Sequence, residues 1–283
     1  MYVMKVDTTG QVIWSHFYSS GHDLISPNVI NGGILNPAGI IESPINGDIV
    51  IAGRVVGSAS LGRGIDGFFL DLDPSTGNAN NFNWLGDASP GACDFFTAIT
   101  PALSPTGGQG YILGGYSDAN YTTPANSGGA WLVKVKPSGN IIWDKEYTSF
   151  IDSINGGMVG VVERLNTFGH YEYYALGNVS GASVHGAFVY KLDDSGTPYA
   201  VSNGGIDEYY YGTAASSPFN PIAIDYNQAT GSDDGLHLFI DNNSNHYLLE
   251  SYFNGITGCN YEYLGNIAAY ETGRNFISHW INV

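Results

Sequence analysis

A chain of 283 residues with 39 glycines, 13% aromatic and only 12% charged residues suits many short strands joined by tight turns, and excludes extensive surface helix. Nine basic against 26 acidic residues give a net charge of −17, which repels nucleic-acid phosphates and anionic membrane surfaces. No apolar run approaches the roughly eighteen residues of a membrane-spanning helix, and two cysteines are too few for a disulfide framework. The first ten residues carry Lys5 and Asp7 where a secretory signal would have its apolar stretch. The expectation is therefore a chain not exported by that route, or a mature or truncated form.

The first predicted element is a β-hairpin over YVMKVDTTGQVIW, from Tyr2 to Trp14, whose flanks alternate in polarity around a D-T-T-G turn. A looser hairpin follows from Ala38, AGIIESPINGDIVIAG, with a small aliphatic first strand and a β-rich second strand ending at Gly53. The aromatic hairpin returns as FFLDLDPSTGNANNFNW from Phe68, and the looser one as FTAITPALSPTGGQGYILGG from Phe96, its second strand ending near Gly114. The third aromatic copy, WLVKVKPSGNIIW, runs from Trp131 to Trp143 and is followed by MVGVVERLNTFGHYEYYALG from Met158 to Gly177. FVYKLDDSGTPYA from Phe188, PIAIDYNQATGSDDGLHLFI from Pro221, the worn copy YLLESYFNGITGCNYEY from Tyr247 and NIAAYETGRNFISHWI from Asn266 complete the series. The turns D-T-T-G, D-P-S-T-G, K-P-S-G and D-D-S-G suit a type I turn closed by a left-handed glycine.

A repeat of roughly sixty residues, longer than a hairpin and shorter than a domain, marks a solenoid, array or propeller. One looser hairpin plus the next aromatic hairpin makes a four-stranded antiparallel blade. The predicted fold is all-β, a five-bladed β-propeller forming a single domain over residues 1–283. Its last blade is assembled from residues 266–283 and 1–17, and this pairing of N- and C-terminal strands closes the ring and removes free sheet edges. Trp14, Trp84 and Trp143 are predicted at equivalent places on the second strand of the aromatic hairpin.

The aromatic hairpin, followed by Asp, Gly and a strand like GYILGGYS, resembles bacterial secreted β-propeller repeats of the D-x-W-L-V-K-x-D-x-x-G-x-x-x-W type. The matching stretches are Trp131 to Trp143, Tyr2 to Trp14, and Gln109 to Ser117. Such repeats occur in surface and secreted proteins of gliding-type bacteria, often ones exported by type IX secretion. The resemblance implies a propeller and an extracellular or cell-surface setting, and it implies no catalytic residue.

Several groups are candidates for chemistry. Glu42, Glu163, Asp225 and Glu271 stand near the ends of the small first strands, with Thr100 at the corresponding place in the second copy. Carboxylates around a propeller mouth could act as the acid and the base or nucleophile of glycoside cleavage. A quasi-symmetric repeat also produces such a ring without any chemistry, and that is the expectation here. DLDPSTGN from Asp71, GSDDG from Gly231 and DNNSN from Asp241 are rich in oxygen ligands but lack the ligand order of a calcium loop. They read as hydrogen-bonded turns, with a structural calcium as the alternative; no catalytic metal and no organic cofactor is expected. HYEYY at 170–174 and EYYYG at 208–212 offer Tyr171, Tyr173, Tyr209 and Tyr211 as rim aromatics that could stack on sugars or grip a protein. Strand alternation sends half of each cluster inward. Asp23, Asp94 and Asp152, each just ahead of a looser hairpin, are expected to cap backbone amides where blades meet.

The functional expectation is a non-catalytic interaction module binding a glycan or protein partner at the cell surface. It would bind no nucleic acid and insert into no membrane. The alternatives are a glycan-active hydrolase or lyase with carboxylates at the mouth, and a structural subunit of an extracellular assembly.

Overall fold

Alternation of polarity along Tyr2–Phe17 produces the first element of the computed structural model, an antiparallel pair of β1 (Tyr2–Val6) and β2 (Val12–Phe17). The structure describes residues 1–18, 34–56, 64–87, 92–104, 108–117, 129–147, 155–165, 169–180 and 184–199, then the strands at 208–214, 221–225, 235–240, 246–253, 259–266 and 279–281. All regular structure among these residues is β-strand. The chain divides into two compact units, Met1–Ser153 and Ile154–Val283.

In the first unit, β3 (Ile34–Glu42), β4 (Ile49–Val56), β5 (Ile65–Leu72) and β6 (Ala79–Leu85) form one antiparallel meander. A second meander holds β7 (Phe95–Ala102), β8 (Gly110–Ser117), β9 (Gly129–Val135) and β10 (Ile141–Tyr147) in the same order. Each joins one looser hairpin to the aromatic hairpin after it, as the repeat predicts. Period-two alternation then buries both faces of the β3–β6 sheet. Ile51, Val55, Phe68, Leu70 and Leu72 join Trp14 and Tyr18 of the first hairpin in one core. Val50, Ala52 and Phe69 join Phe96, Tyr111, Trp131 and Val133 of the next sheet in another. The first hairpin is fastened over the β5–β6 turn: Lys5 Nζ and Trp14 Nε1 both donate to the Pro74 carbonyl, at 2.8 and 3.1 Å. The Tyr18 hydroxyl donates to the Gly77 carbonyl at 2.5 Å.

The aromatic-hairpin turns are built alike. Gly10, Gly77, Gly139 and Gly196 have φ of 83°, 74°, 78° and 73°, a region where a side chain is strained. Each donates its amide to the carbonyl of the residue opening the turn, Asp7, Asp73, Lys136 or Asp193. Where that residue is aspartate, its side chain also accepts backbone amides: Thr9 and Gln11 on Asp7, Ser75 and Thr76 on Asp73, Ser195 and Thr197 on Asp193.

A second regularity lies in the looser hairpins. β3 skips one residue between Pro37 and Gly39, β7 between Phe96 and Ala98, and β11 (Asn155–Leu165) between Met158 and Gly160. Opposite each bulge stands a glycine: Gly53, Gly115 and, on β12 (Tyr171–Ser180), Gly177. A Cβ on Gly53 would run into the Asn36 carbonyl oxygen, and one on Gly115 into that of Phe95. The glycines therefore admit the bulged strand instead of ending their own. β4, β8 and β12 continue to Val56, Ser117 and Ser180, and the glycine at the bulge in the second sheet is Gly115 where the sequence pattern pointed to Gly114.

In the second unit, β11, β12, β13 (Val184–Asp193) and β14 (Glu208–Ala214) form a third meander of the same order. The last sheet comprises β15 (Pro221–Asp225), β16 (Gly235–Ile240), β17 (His246–Phe253), β18 (Cys259–Asn266) and β19 (His279–Ile281). β17 and β18 are the expected fifth aromatic hairpin. β15 and β16 depart from expectation: they pair in parallel, with Pro221 opposite Leu236 and Asp225 opposite Phe239. A period-two pattern fixes which face a residue takes but not the direction of the strand, so the antiparallel hairpin read from the sequence was under-determined. At the C-terminus β19 lies on β18 and, among the described residues, β1 and β2 pair only with each other; residues 267–278, expected to help close the ring, lie outside the described residues.

Candidate functional site

Cross-strand register locates the predicted acidic positions. Glu42 pairs with Ile49 and through it with Leu72, the residue before the turn aspartate Asp73. Glu163 pairs with Tyr173 and through it with Leu192, the residue before Asp193. These two are equivalent. In the second sheet the same row runs from Val135 through Tyr111 to Pro101, so Pro101, and not Thr100, occupies the corresponding place. Glu42 is exposed at the end of β3, and Glu163 is half-buried within β11. Asp225 ends β15, where parallel pairing breaks the frame of the other copies, and Glu271 lies outside the described residues. Glu42 belongs to the first unit and Glu163 and Asp225 to the second.

The same register exposes a group that sequence reading missed. One residue earlier in each aromatic hairpin stand Lys5, Asp71, Lys134 and Lys191. Three copies have a cation there, and the second copy has a carboxylate. Asp71 is 3% exposed. It accepts from Asn81 Nδ2 at 3.2 Å through Oδ2, while its Oδ1 is buried without a hydrogen-bond partner. Val50 pairs with Asp71, which sets Asp48 diagonal to it on the same face of the sheet. Burial first, and then the Asp48 carboxylate, push the Asp71 carboxyl from its ordinary 3.8 up to about 6, against the lowering effect of Asn81. Across the junction with the next sheet, the Tyr111 hydroxyl donates to Ser43 Oγ at 2.6 Å, at the start of the β3–β4 turn that carries Asp48. Burial raises the Tyr111 hydroxyl, and Asp71 and Asp48 add to that shift. The signal was present in the sequence as FFLDLD set against YVMKVD, WLVKVK and FVYKLD.

The third sheet fills the same diagonal with opposite charges. Tyr174 pairs with Lys191, which sets Glu172 diagonal to it, and Lys191 Nζ lies 3.4 Å from Glu172 Oε2. Glu172 is buried and also accepts from the Tyr174 hydroxyl at 3.2 Å. The Lys191 ammonium sits 5.8 Å from the Tyr174 ring centroid and 5.1 Å from that of Tyr199, within cation–π reach. In the first unit the buried Lys134 stands at this place with Gly110 at the diagonal position.

Alternation does not sort the tyrosine-rich segment into inner and outer rings, because both faces of β12 are covered. Tyr171 is half-buried, whereas Tyr173 and Tyr174 are wholly enclosed on opposite faces of β12. Burial removes Tyr173 from the predicted binding rim. Its hydroxyl donates to Asp194 Oδ1 at 2.8 Å, and burial with that contact and Glu163 holds its pKa far above the usual phenol range. Tyr209 and Tyr211 lie in β14, opposite Val189 and Ala187. Asp94 caps as expected: it is buried and accepts the Asp87 amide at 2.6 Å beside the backbone bridge from Ile65 to Ala92. Asp23 and Asp152 lie outside the described residues.

The tryptophans are not all equivalent. Trp14 pairs with Lys5 and Trp143 with Lys134, but the partner of Asp71 is Asn81, and Trp84 pairs three residues further along, with Phe68. The same one-residue bulge follows the turn in all three copies, so Trp84 is displaced by its own place three residues further along β6. Trp14 is buried; Trp84 and Trp143 are half-buried.

Of the oxygen-rich stretches, DLDPSTGN holds Asp73 on its own turn amides and Asp71 in the buried group above, and residues 231–234 and 241–245 lie outside the described residues. Among the described residues no three His, Cys, Asp or Glu side chains converge as a metal site. Among the described residues, exposed large apolar side chains cluster on the first hairpin. Tyr2, Met4 and Val6 of β1 occur on one face with Phe17 opposite Tyr2, and Tyr2 and Phe17 are 51% and 63% exposed with ring centroids 4.6 Å apart. Comparison with known proteins returns no match, either to a family model or to a curated sequence.

Proposed function

We propose that the chain is a β-propeller interaction module that binds a glycan or a protein at the cell surface without turning it over. The observation that carries this reading is how the repeat's carboxylates are engaged. Asp7, Asp73 and Asp193 hold turn amides, Asp94 caps the Asp87 amide, Asp194 accepts from Tyr173 and Glu172 is paired with Lys191. Such contacts hold a scaffold together and leave recognition to the loops it displays. The extracellular setting rests on the repeat's resemblance to secreted propeller proteins.

The propeller itself is part of the proposal. Three like-ordered meanders are its blades, and β1 supports closure because, among the described residues, no strand lies on the edge where β5, β9 and β13 each carry β4, β8 and β12. Strands from residues 266–283 would pair there; the β19–β18 pairing uses only residues 279–281 of that segment. A glycan array on the intact chain, with turnover assayed on every glycan retained, tests the function. Binding without turnover, unchanged within a few-fold in Glu42→Gln and Glu163→Gln, is the expected result. Turnover abolished by either amide would overturn it in favour of a glycan hydrolase or lyase.

A further inference from the structure

At the diagonal where the third sheet pairs Glu172 with Lys191, the first sheet sets two carboxylates, Asp48 and Asp71, beside each other. One oxygen of Asp71 is hydrogen-bonded by Asn81, and the other is enclosed with no donor. A buried carboxylate oxygen without a donor is costly, and two adjacent carboxylates relieve both that cost and their repulsion when a single proton lies between them. We propose that Asp71 and Asp48 share one proton, and that its uptake in mild acid latches the β3–β4 turn onto β5 at the junction between the first two four-stranded sheets.

The groups around Asp71 fit a latch. Asp48 stands at the end of the β3–β4 turn, diagonal to Asp71 across the β4–β5 pair, and Asn81 donates to Asp71 from β6. From the sheet packed against this face comes the Tyr111 hydroxyl, amid the apolar Phe96, Leu113, Trp131, Val133 and Val135. In the turn after β5 stands Asp73, its carboxylate held by Ser75 and Thr76. Ile41 completes the row on β3. With the proton in place, Asp71 becomes a donor to Asp48 and the turn is tied to β5. That turn is already tethered to the neighbouring sheet through Ser43 and Tyr111, so the proton secures both contacts together.

The direction follows from linkage. Asp71 binds its proton more tightly folded than unfolded, so its contribution to stability is fully present below the unfolded value of 3.8 and is lost as pH rises through about 6. The turn carboxylates Asp7 and Asp73 shift the opposite way, and their contributions fade only at pH values below 3.8.

The test is thermal unfolding of the intact chain between about pH 7.5 and about pH 5, beside a carbon-detected NMR titration of the aspartate carboxyls. Wild type is expected to melt higher at the acid end, with the Asp71 carboxyl titrating near 6. Asp71→Asn, a permanent donor, is expected to melt above wild type at neutral pH and to lose that acid-dependent gain. An Asp71 resonance titrating near 4, or a gain fully kept in Asp71→Asn, overturns the proposal. So does calcium chloride that raises the neutral melting point of wild type but not of the variant, since the pair would then hold a cation. Should Asp71→Asn fail to fold, the wild-type carboxyl titration decides alone.

Discussion

Lys191 and Asp71 occupy the same place in two copies of one hairpin and meet opposite circumstances. Beside Glu172 a lysine completes a largely buried ion pair; an aspartate buried there, with Asp48 as its neighbour, is pushed up to about 6. Removing one member of the ion pair strands the other. Glu172→Gln is therefore expected to destabilise the second unit by about 1.5–3 kcal/mol, measured by denaturant unfolding. The tryptophans separate by burial in a similar way. Trp14→Ala empties a site that is 8% exposed and removes the bond to the Pro74 carbonyl, so a loss of about 3–5 kcal/mol is expected. Trp84→Ala, at a half-buried and non-equivalent position, should cost clearly less. Equal losses at the two would show that register does not set their roles.

At the scale of the element, the sequence announced what is locally encoded. D-T-T-G or D-D-S-G fixes its turn through an aspartate that caps the next amides and a glycine that accepts a left-handed φ, and both requirements lie within five residues. Gly77→Ala tests this directly. A non-glycine residue at φ 74° costs about 1–2 kcal/mol in backbone strain alone. The added Cβ would also press on the Trp14 and His16 rings, so a loss beyond the strain is expected in thermal unfolding. Features that depend on a partner strand were less legible. The glycine at 115 is required by a bulge centred on another strand, and the parallel course of β15 and β16 leaves no mark in their alternation. The Asp48–Asp71 group was hidden for the same reason, because the two residues meet only once Val50 is placed opposite Asp71. Their chemistry was visible as a break in the repeat, DLD where its siblings read KVD, KVK or KLD.

At the scale of the molecule, each meander repeats one plan of looser hairpin then aromatic hairpin, and β1–β2 follows the aromatic half of that plan alone. On the propeller reading, deleting residues 266–283 should abolish cooperative unfolding of the remaining chain; a truncated protein with native-like stability would argue for an open array. The outward face of the first hairpin also bears on how copies of the molecule meet. Tyr2 and Phe17 form an exposed greasy patch, a surface on which two copies of the chain can associate. The net charge of −17 keeps such encounters apart, yet that protection reaches only about 8 Å at physiological ionic strength and about 3 Å in molar salt. Colloidal behaviour should accordingly hinge on salt, with light scattering rising as ionic strength climbs, and Tyr2→Lys with Phe17→Glu should keep the solution clear where wild type clouds.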